Sequence, residues 1–454
     1  MKYFLPYWED WVHKDFDPIS ESYSEANLFA HEIFEKAPYD GILVSLGLFK
    51  LKLKLIKENG RPKIRNSYNI RSYLRLSEEL EVMGDCGAFT YINEKAPLIS
   101  PEEAVYYYES LGFDYGISVD HICSDFVIVE EKDKGKFSYI EEESKGKLVK
   151  LILSDKEKEY RRQISIKNAE KFLKLSKNKN FIPIGAVQGY SIETYLDSAI
   201  KLVNQGYTYL AIGGLVPKST EFISELLDQI YKQIDTAKIK IHLLGVLREG
   251  LIEKMSQYQI NSFDSASYYR KAWLEEDKNY LGVDNKWYSA IRVVQSDNPR
   301  YRKKLDRRII NKIQSLENRI LFLLRKYDNS ELKDVDSLIE EIINYDKFFL
   351  RDSFKEEKYF KLYKELLTSE IWKECDCPMC RSMGIDVVIF RGADRNKRRG
   401  FHNTYIFYKK LENIIKSVPS ISVPLYFWVT CMAFSYAIGE LQKFMAFSGE
   451  NSTH

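Results

Sequence analysis

Apolar residues along the chain gather first into short runs that each end in Gly, Asp or another polar residue. They are KYFL (2–5), GILVSLGLF (41–49), LEVMGD (80–85), DYGISVD (114–120), FIPIGAVQG (181–189), YLAIGGL (209–215), IHLLGV (241–246) and NSFDS (261–265). Between most of them the apolar positions recur at helical spacing. SPEEAVYYYESLG (100–112) is the clearest case: Ser100 can cap it, Pro101 suits the first helical position and Glu103 completes a capping box. SIETYLDSAIKLVNQG (191–206) is a second, with Gly206 after its end. Strand-like runs alternating with helices predict a parallel β/α architecture. Eight such runs are also the number that closes a (β/α)₈ TIM barrel of about 250 residues. Residues 1–270 are expected to form that barrel. The charged, Gly- and Lys-rich stretch within 121–165 interrupts the pattern and reads as an exposed excursion.

The character changes after 270. Residues 299–326 predict a basic helix whose apolar side is Ile309, Ile310, Ile313, Leu316, Ile320 and Leu323. Residues 331–346 predict an acidic helix, with six acids against one Lys. Two such helices can pack as a hairpin, which would weaken any case for the first as a polyanion-binding surface. The organisation expected is a catalytic barrel over 1–270, a charged helical insertion over 271–370, and a zinc-binding subdomain with a C-terminal helix over 371–454. Val423 to Gly439 is uncharged, but its 17 residues are at the short limit for a membrane span. Pro424 near its start favours a buried helix, and no membrane association is expected.

Composition narrows the class. With 454 residues, 44% hydrophobic and 30% charged, the chain is neither disordered nor collagen-like. Six cysteines are too few for a disulfide framework at this length. The opening MKYFLPYWEDWVHKDFD turns acidic, unlike a secretory signal, so a cytoplasmic location is expected. The net charge of +2 conceals an asymmetry: residues 1–40 hold nine acids against three Lys/Arg, and residues 286–326 hold twelve Lys/Arg against three acids. RYRKKLDRRIINK (300–312) and RGADRNKRRG (391–400) are the densest basic clusters, and local patches set the field that a polyanion meets. Each run, taken alone, is also compatible with a solvated helix face or loop.

Cys375, Cys377 and Cys380, with His402 twenty-two residues after the last of them, carry the strongest chemical signal. Three thiolates and one imidazole make a closed, structural zinc site with no open position for catalysis. Unconnected buried thiols and a redox pair are the other readings. The second signal is positional, because the C-terminal ends of barrel strands face the active site. Those ends supply Asp85, Asp120, Gln188, Gly213, Gly214 and Asp264. A single Asp after a strand is commonly only a cap. Several carboxylates at one mouth, beside an amide and a Gly-Gly backbone, suit attack on a sugar carbon with proton handling alongside.

Asp85-Cys-Gly-Ala-Phe89, Ser100-Pro-Glu-Glu103, Val187-Gln-Gly189, Ala211-Ile-Gly-Gly-Leu215, Leu244-Gly-Val246, Phe263-Asp-Ser265 and the cysteine set ending in His402-Asn403 occur in one order. In that order the chain resembles the tRNA-guanine transglycosylases over roughly 80–405. The resemblance implies a (β/α)₈ barrel with an inserted zinc subdomain, and exchange of an encoded guanine for a 7-deazaguanine. It implies Asp264 as the nucleophile at C1′ and Asp85 as the general acid/base. It places Asp120, Gln188 and Gly214, with Gly213 beside it, in base recognition, and Phe89 and Leu244 on the two faces of the base. Ordinary barrel packing is the plainer reading of Phe89 and Leu244.

Two departures stand out. The chain reads DCGAFT where that family usually reads DSGGFQ, so Cys86 replaces a common serine and Ala88 adds a methyl. The interval from Asp264 to Cys375 is also longer than the bacterial tRNA enzymes need. The opening 18 residues, YDGILVS and FDSASYYRKAW are most similar to the DpdA branch. That likeness implies insertion of 7-cyano-7-deazaguanine (preQ0) into DNA, alongside partner proteins such as an ATPase or a nuclease-like modification protein. DNA is then the expected substrate, with Arg302, Lys303, Arg307, Arg308, Arg395, Arg398 and Arg399 as backbone contacts. A tRNA substrate and a non-catalytic, zinc-stabilised nucleic-acid-binding subunit are the alternatives. Retention of both Asp85 and Asp264 argues against the latter.

Overall fold

The computed structural model describes residues 1–8, 10–49, 56–58, 61–63, 69–299, 307–350 and 355–417. Eight parallel strands close on themselves: β1 (Lys2–Pro6), β2 (Gly41–Ser45), β3 (Glu81–Asp85), β4 (Tyr115–Ile117), β5 (Ile182–Val187), β6 (Tyr209–Ile212), β7 (Lys240–Leu243) and β8 (Ser262–Asp264). Sequential strands are neighbours, and β8 returns to β1 with Phe4 opposite Asp264. Every one grows from an apolar run named above. Inside the barrel Phe4, Leu43, Met83, Ile117, Ile184 and Ala211 pack as one buried cluster. The centre is therefore a filled core, and chemistry is confined to the strand ends.

Helices alternate with the strands and lie against one another outside. They are α1 (Pro101–Leu111), α2 (Asp155–Leu175), α3 (Ile192–Gln205), α4 (Thr220–Gln233), α5 (Glu249–Gln257) and α6 (Ser267–Leu274). Ser100 accepts from the Glu103 N–H while the Glu103 carboxylate accepts from the Ser100 N–H, which is the expected capping box. Gly206 ends α3 in the left-handed conformation that only glycine adopts without penalty. The excursion after β4 is a folded unit of its own. Phe126–Glu130, Tyr139–Lys145 and Leu148–Leu153 form an antiparallel sheet over Val127, Phe137, Val149 and Leu151. Its alternation is short and sits among lysines and glutamates, which hid it.

Beyond α6, a strand pair (Tyr280–Leu281 with Trp287–Tyr288) and the strand Ile291–Arg292, which pairs with Ile389–Phe390, precede α7 (Arg307–Asp328), α8 (Val335–Leu350) and α9 (Glu356–Ser369). The basic α7 and acidic α8 pack together, and Arg319 forms two hydrogen bonds to Glu341 at 2.8 and 2.9 Å across them. The long helix α10 (Ala393–Ser417) then returns to pack on α5 and α6. Chain from beyond residue 371 thus completes the outer ring, and α10 serves the barrel and the cysteine cluster together. Among the described residues no helix is long and apolar enough to cross a membrane. Residues 423–439, read above as a buried helix, lie outside the described residues.

Candidate active site

All the strand-end residues meet at one mouth. Asp85 ends β3, Gln188 follows β5, Gly213 and Gly214 follow β6, Leu244 follows β7, Asp264 ends β8, and Asp120 lies three residues after β4. Together with Phe89 they line one cavity of about 730 Å³. That is within the usual range for a small-molecule site. Phe89 is 60% exposed at the lip, whereas Leu244 is half-buried against the barrel core.

The carboxylates are held differently. Asp264 is buried; its Oδ1 accepts from the Gly245 N–H at 2.8 Å and lies 3.1 Å from His242 Nε2. Asp85 is partly exposed to the cavity and accepts from the Gly87 N–H at 3.0 Å. Burial pushes its carboxyl up to about 7, and the charges of Asp120 and Asp264 push the same way against the Gly87 and Cys86 N–H groups. One carboxylate is thereby poised to exchange a proton near neutrality. Gly87 is required for this geometry. Its φ is +85°, and a Cβ would sit 2.7 Å from the Gly47 nitrogen and from Ser45 Oγ.

Asp120 is buried, and burial raises its carboxyl against two hydrogen bonds that lower it. Cys86 Sγ donates to Oδ1 at 3.0 Å, and Gln188 Nε2 donates to Oδ2 at 2.5 Å. Burial, then the Asp120 charge, holds Cys86 well above the usual thiol range, so it remains a protonated donor. The Cys86 thiol thus ties the end of β3 to the Asp120 carboxylate. Gln188 keeps Oε1 buried with no hydrogen bond among the described residues, an acceptor turned toward the Gly213-Gly214 turn. A Cβ on Gly213 would meet Gln188 Nε2 at 2.4 Å, so the amide fits only beside glycine.

Cys375, Cys377 and Cys380 are buried, with their sulfurs 3.5, 3.4 and 3.3 Å from His402 Nδ1. A tetrahedral ion with ordinary Zn–S and Zn–N bonds separates such donors by about 3.6 Å, so this set fits a zinc-like ion. Behind it His402 Nε2 donates to the Leu281 carbonyl at 2.7 Å, and Tyr280 stacks on the imidazole at 4.3 Å. Such outer contacts fix the ring for ligation. None of these atoms faces the cavity, so the cluster is structural in position.

The expected nucleic-acid contacts fare differently. Arg302 and Lys303 lie outside the described residues, and Arg307 and Arg308 open α7. Arg395, Arg398 and Arg399 are 1%, 8% and 0% exposed, which corrects their reading as a DNA-facing loop. They sit on α10 and are spent internally. Arg395 binds Glu21, Asp386 and the Pro18 carbonyl; Arg398 donates to the His13 carbonyl; Arg399 donates to the carbonyls of Val387, Ile389 and Ala272. The acidic opening of the chain covers this basic cluster. Tyr268 and Tyr269 likewise pack inward, on Phe407 and Phe401.

The sequence reading passed over His242, Trp8 and Arg270. Trp8 is 49% exposed at the cavity lip, with the Arg270 guanidinium 5.0 Å from its ring. No family model matches the chain. A curated relative, the DNA-guanine transglycosylase of Salmonella montevideo, is 33% identical over 426 residues, which cover 91% of this chain and 97% of that protein.

Proposed function

Because the chain belongs to the DNA-guanine transglycosylase family, we propose that it exchanges guanine in DNA for the 7-deazaguanine preQ0 through a covalent glycosyl-enzyme. The observation that carries this reading is the meeting of Asp264, Asp85 and the Asp120–Gln188–Gly214 cradle in one cavity. A guanine stacked in a duplex is out of reach, so its nucleotide must be turned out into that cavity. Phe89 and Leu244 then bracket the base, while Asp120 accepts from its N1–H and amino group. The second N–H of Gln188 and the Gly214 N–H are the donors available to O6.

Asp264 attacks C1′ as the guanine leaves with a proton from Asp85. The incoming base returns a proton to Asp85 and displaces Asp264. Two displacements at one carbon retain its configuration and leave the phosphodiester untouched. A zinc ion on Cys375, Cys377, Cys380 and His402 would supply folding energy and fix α10 against the barrel. Arg270 and Lys271, both at the cavity, are the described cations best placed for the DNA backbone.

Incubation with labelled preQ0 and either duplex DNA or tRNA, followed by nucleoside mass spectrometry, tests the proposal. Label in DNA is expected, and label only in tRNA would overturn the choice of substrate. Asp264→Asn is expected to abolish both the covalent adduct and exchange while the protein still folds.

A further inference from the structure

Asp264 is gripped by one oxygen. Oδ1 takes the Gly245 N–H and faces His242 Nε2, whereas no hydrogen bond among the described residues reaches Oδ2. His242 is fully buried on β7, opposite Ser262 of β8. Its Nδ1 lies 2.7 Å from Ser262 Oγ, which lies 2.5 Å from the Tyr209 hydroxyl on β6. The polarity of this chain follows from its ends. A carboxylate only accepts, so Nε2 carries a proton; in the neutral imidazole Nδ1 then accepts from Ser262, and Ser262 accepts from Tyr209. Three barrel strands thus set one tautomer and aim it at one oxygen.

We infer that His242 is a positioning residue for the covalent step, fixing Asp264 so that Oδ2 attacks C1′ and steadying the same carboxylate when it leaves. The inference rests on Asp264 being the nucleophile. In the first displacement an Oδ2 electron pair forms the C1′–O bond as the C1′–N9 bond breaks. The N9 pair departs with guanine, which takes a proton from Asp85. In the second, the incoming base gives its N9 proton to Asp85 and forms the new C1′–N9 bond, and the C1′–O pair returns to the carboxylate. Charge returning there spreads onto Oδ1, where the His242 and Gly245 N–H groups meet it. No proton passes through His242. Its bond to Oδ1 is weak while the ester stands and strong when the carboxylate is free, so that bond lowers the barrier to resolution, whereas attack gains only from its positioning of Oδ2.

The test separates the two half-reactions, with a guanine-containing duplex and labelled guanine as the exchanging base. His242→Phe is expected to slow adduct breakdown about ten- to a hundredfold, the effect of losing a charge-assisted hydrogen bond. Formation slows less, so the covalent adduct accumulates. His242→Gln, which keeps an N–H near Nε2, recovers most of the loss. Breakdown within about twofold of wild type in a folded His242→Phe protein, or no recovery in His242→Gln, overturns the inference. Should His242→Phe fail to fold, Ser262→Ala and Tyr209→Phe break the chain further out. Each is then expected to slow breakdown several-fold, and unchanged breakdown in both overturns the inference. Asp264→Asn distinguishes the two readings. Adduct in that variant removes the nucleophile itself, whereas no adduct there with normal breakdown in His242→Phe removes only the role of His242.

Discussion

Asp85 shows how a carboxyl is tuned at the expense of stability. Burial raises it to about 7 in the folded protein, against about 4 in an unfolded chain. A group raised in this direction stabilises the fold fully below pH 4, and that contribution is lost as pH rises through 7. Asp85→Asn should therefore leave the melting temperature unchanged near pH 4 and raise it at pH 8. The gain there should be about 2 kcal/mol, less than the full shift implies because the cavity admits water. Wild-type adduct formation, which on the proposed mechanism uses protonated Asp85, should fall above pH 7 in single-turnover measurements. The position of Asp85 and Asp264 could be read from the sequence, because an Asp at the end of an apolar run is placed by the strand before it. His242 could not. It reads as one apolar-flanked histidine until the register sets it opposite Ser262, two residues before Asp264 on the same strand face. Cys86 was legible as a pocket neighbour, but the acceptor for its thiol lies 34 residues away at Asp120.

The elements beyond the barrel show where a charge pattern misleads. Residues 391–400 look like a loop for a polyanion, yet they open α10, and their arginines face Glu21, Asp386 and backbone carbonyls. A sequence does not reveal that a hairpin near its start will cover a helix near residue 395, since that contact spans most of the chain. Truncating Arg395 opens a void beside buried Asp386, which keeps Arg325, and beside half-buried Glu21, which keeps Arg391. Arg395→Ala should cost about 1.5–3 kcal/mol, seen as a lowered thermal melt. The cysteine set was legible because its spacing is local and its donors are chemically specific. Cys377→Ala or a strong chelator should loosen α10 and lower the melt by several kcal/mol, and metal analysis should find about one zinc per folded chain.

At the scale of the whole molecule the net charge of +2 is a balance between surfaces that already neutralise one another. Glu21, between the paired strands Trp11–His13 and Asn27–Phe29, meets Arg391 and Arg395, and Glu341 of α8 meets Arg319 of α7. The contacts proposed for a polyanion are the cavity lip, with Arg270 beside Trp8, and the positions Arg302, Lys303, Arg307 and Arg308, basic by sequence. Each cation that replaces a counterion on B-DNA contributes about 0.9 to the slope of log affinity against log salt. Removing all four insertion charges should therefore flatten the slope by up to about 3.6 between 50 and 200 mM salt. Arg270→Gln should flatten it by about 1 and also raise KM for the duplex, because Arg270 lines the cavity proposed to take the nucleotide. Arg399→Met, by contrast, removes a charge that never meets solvent, and should leave the slope unchanged in whatever fraction stays folded. Filter binding at four salt concentrations compares the three variants. A slope that moves with Arg399 rather than with Arg270 would place the DNA on α10 and not at the mouth of the barrel.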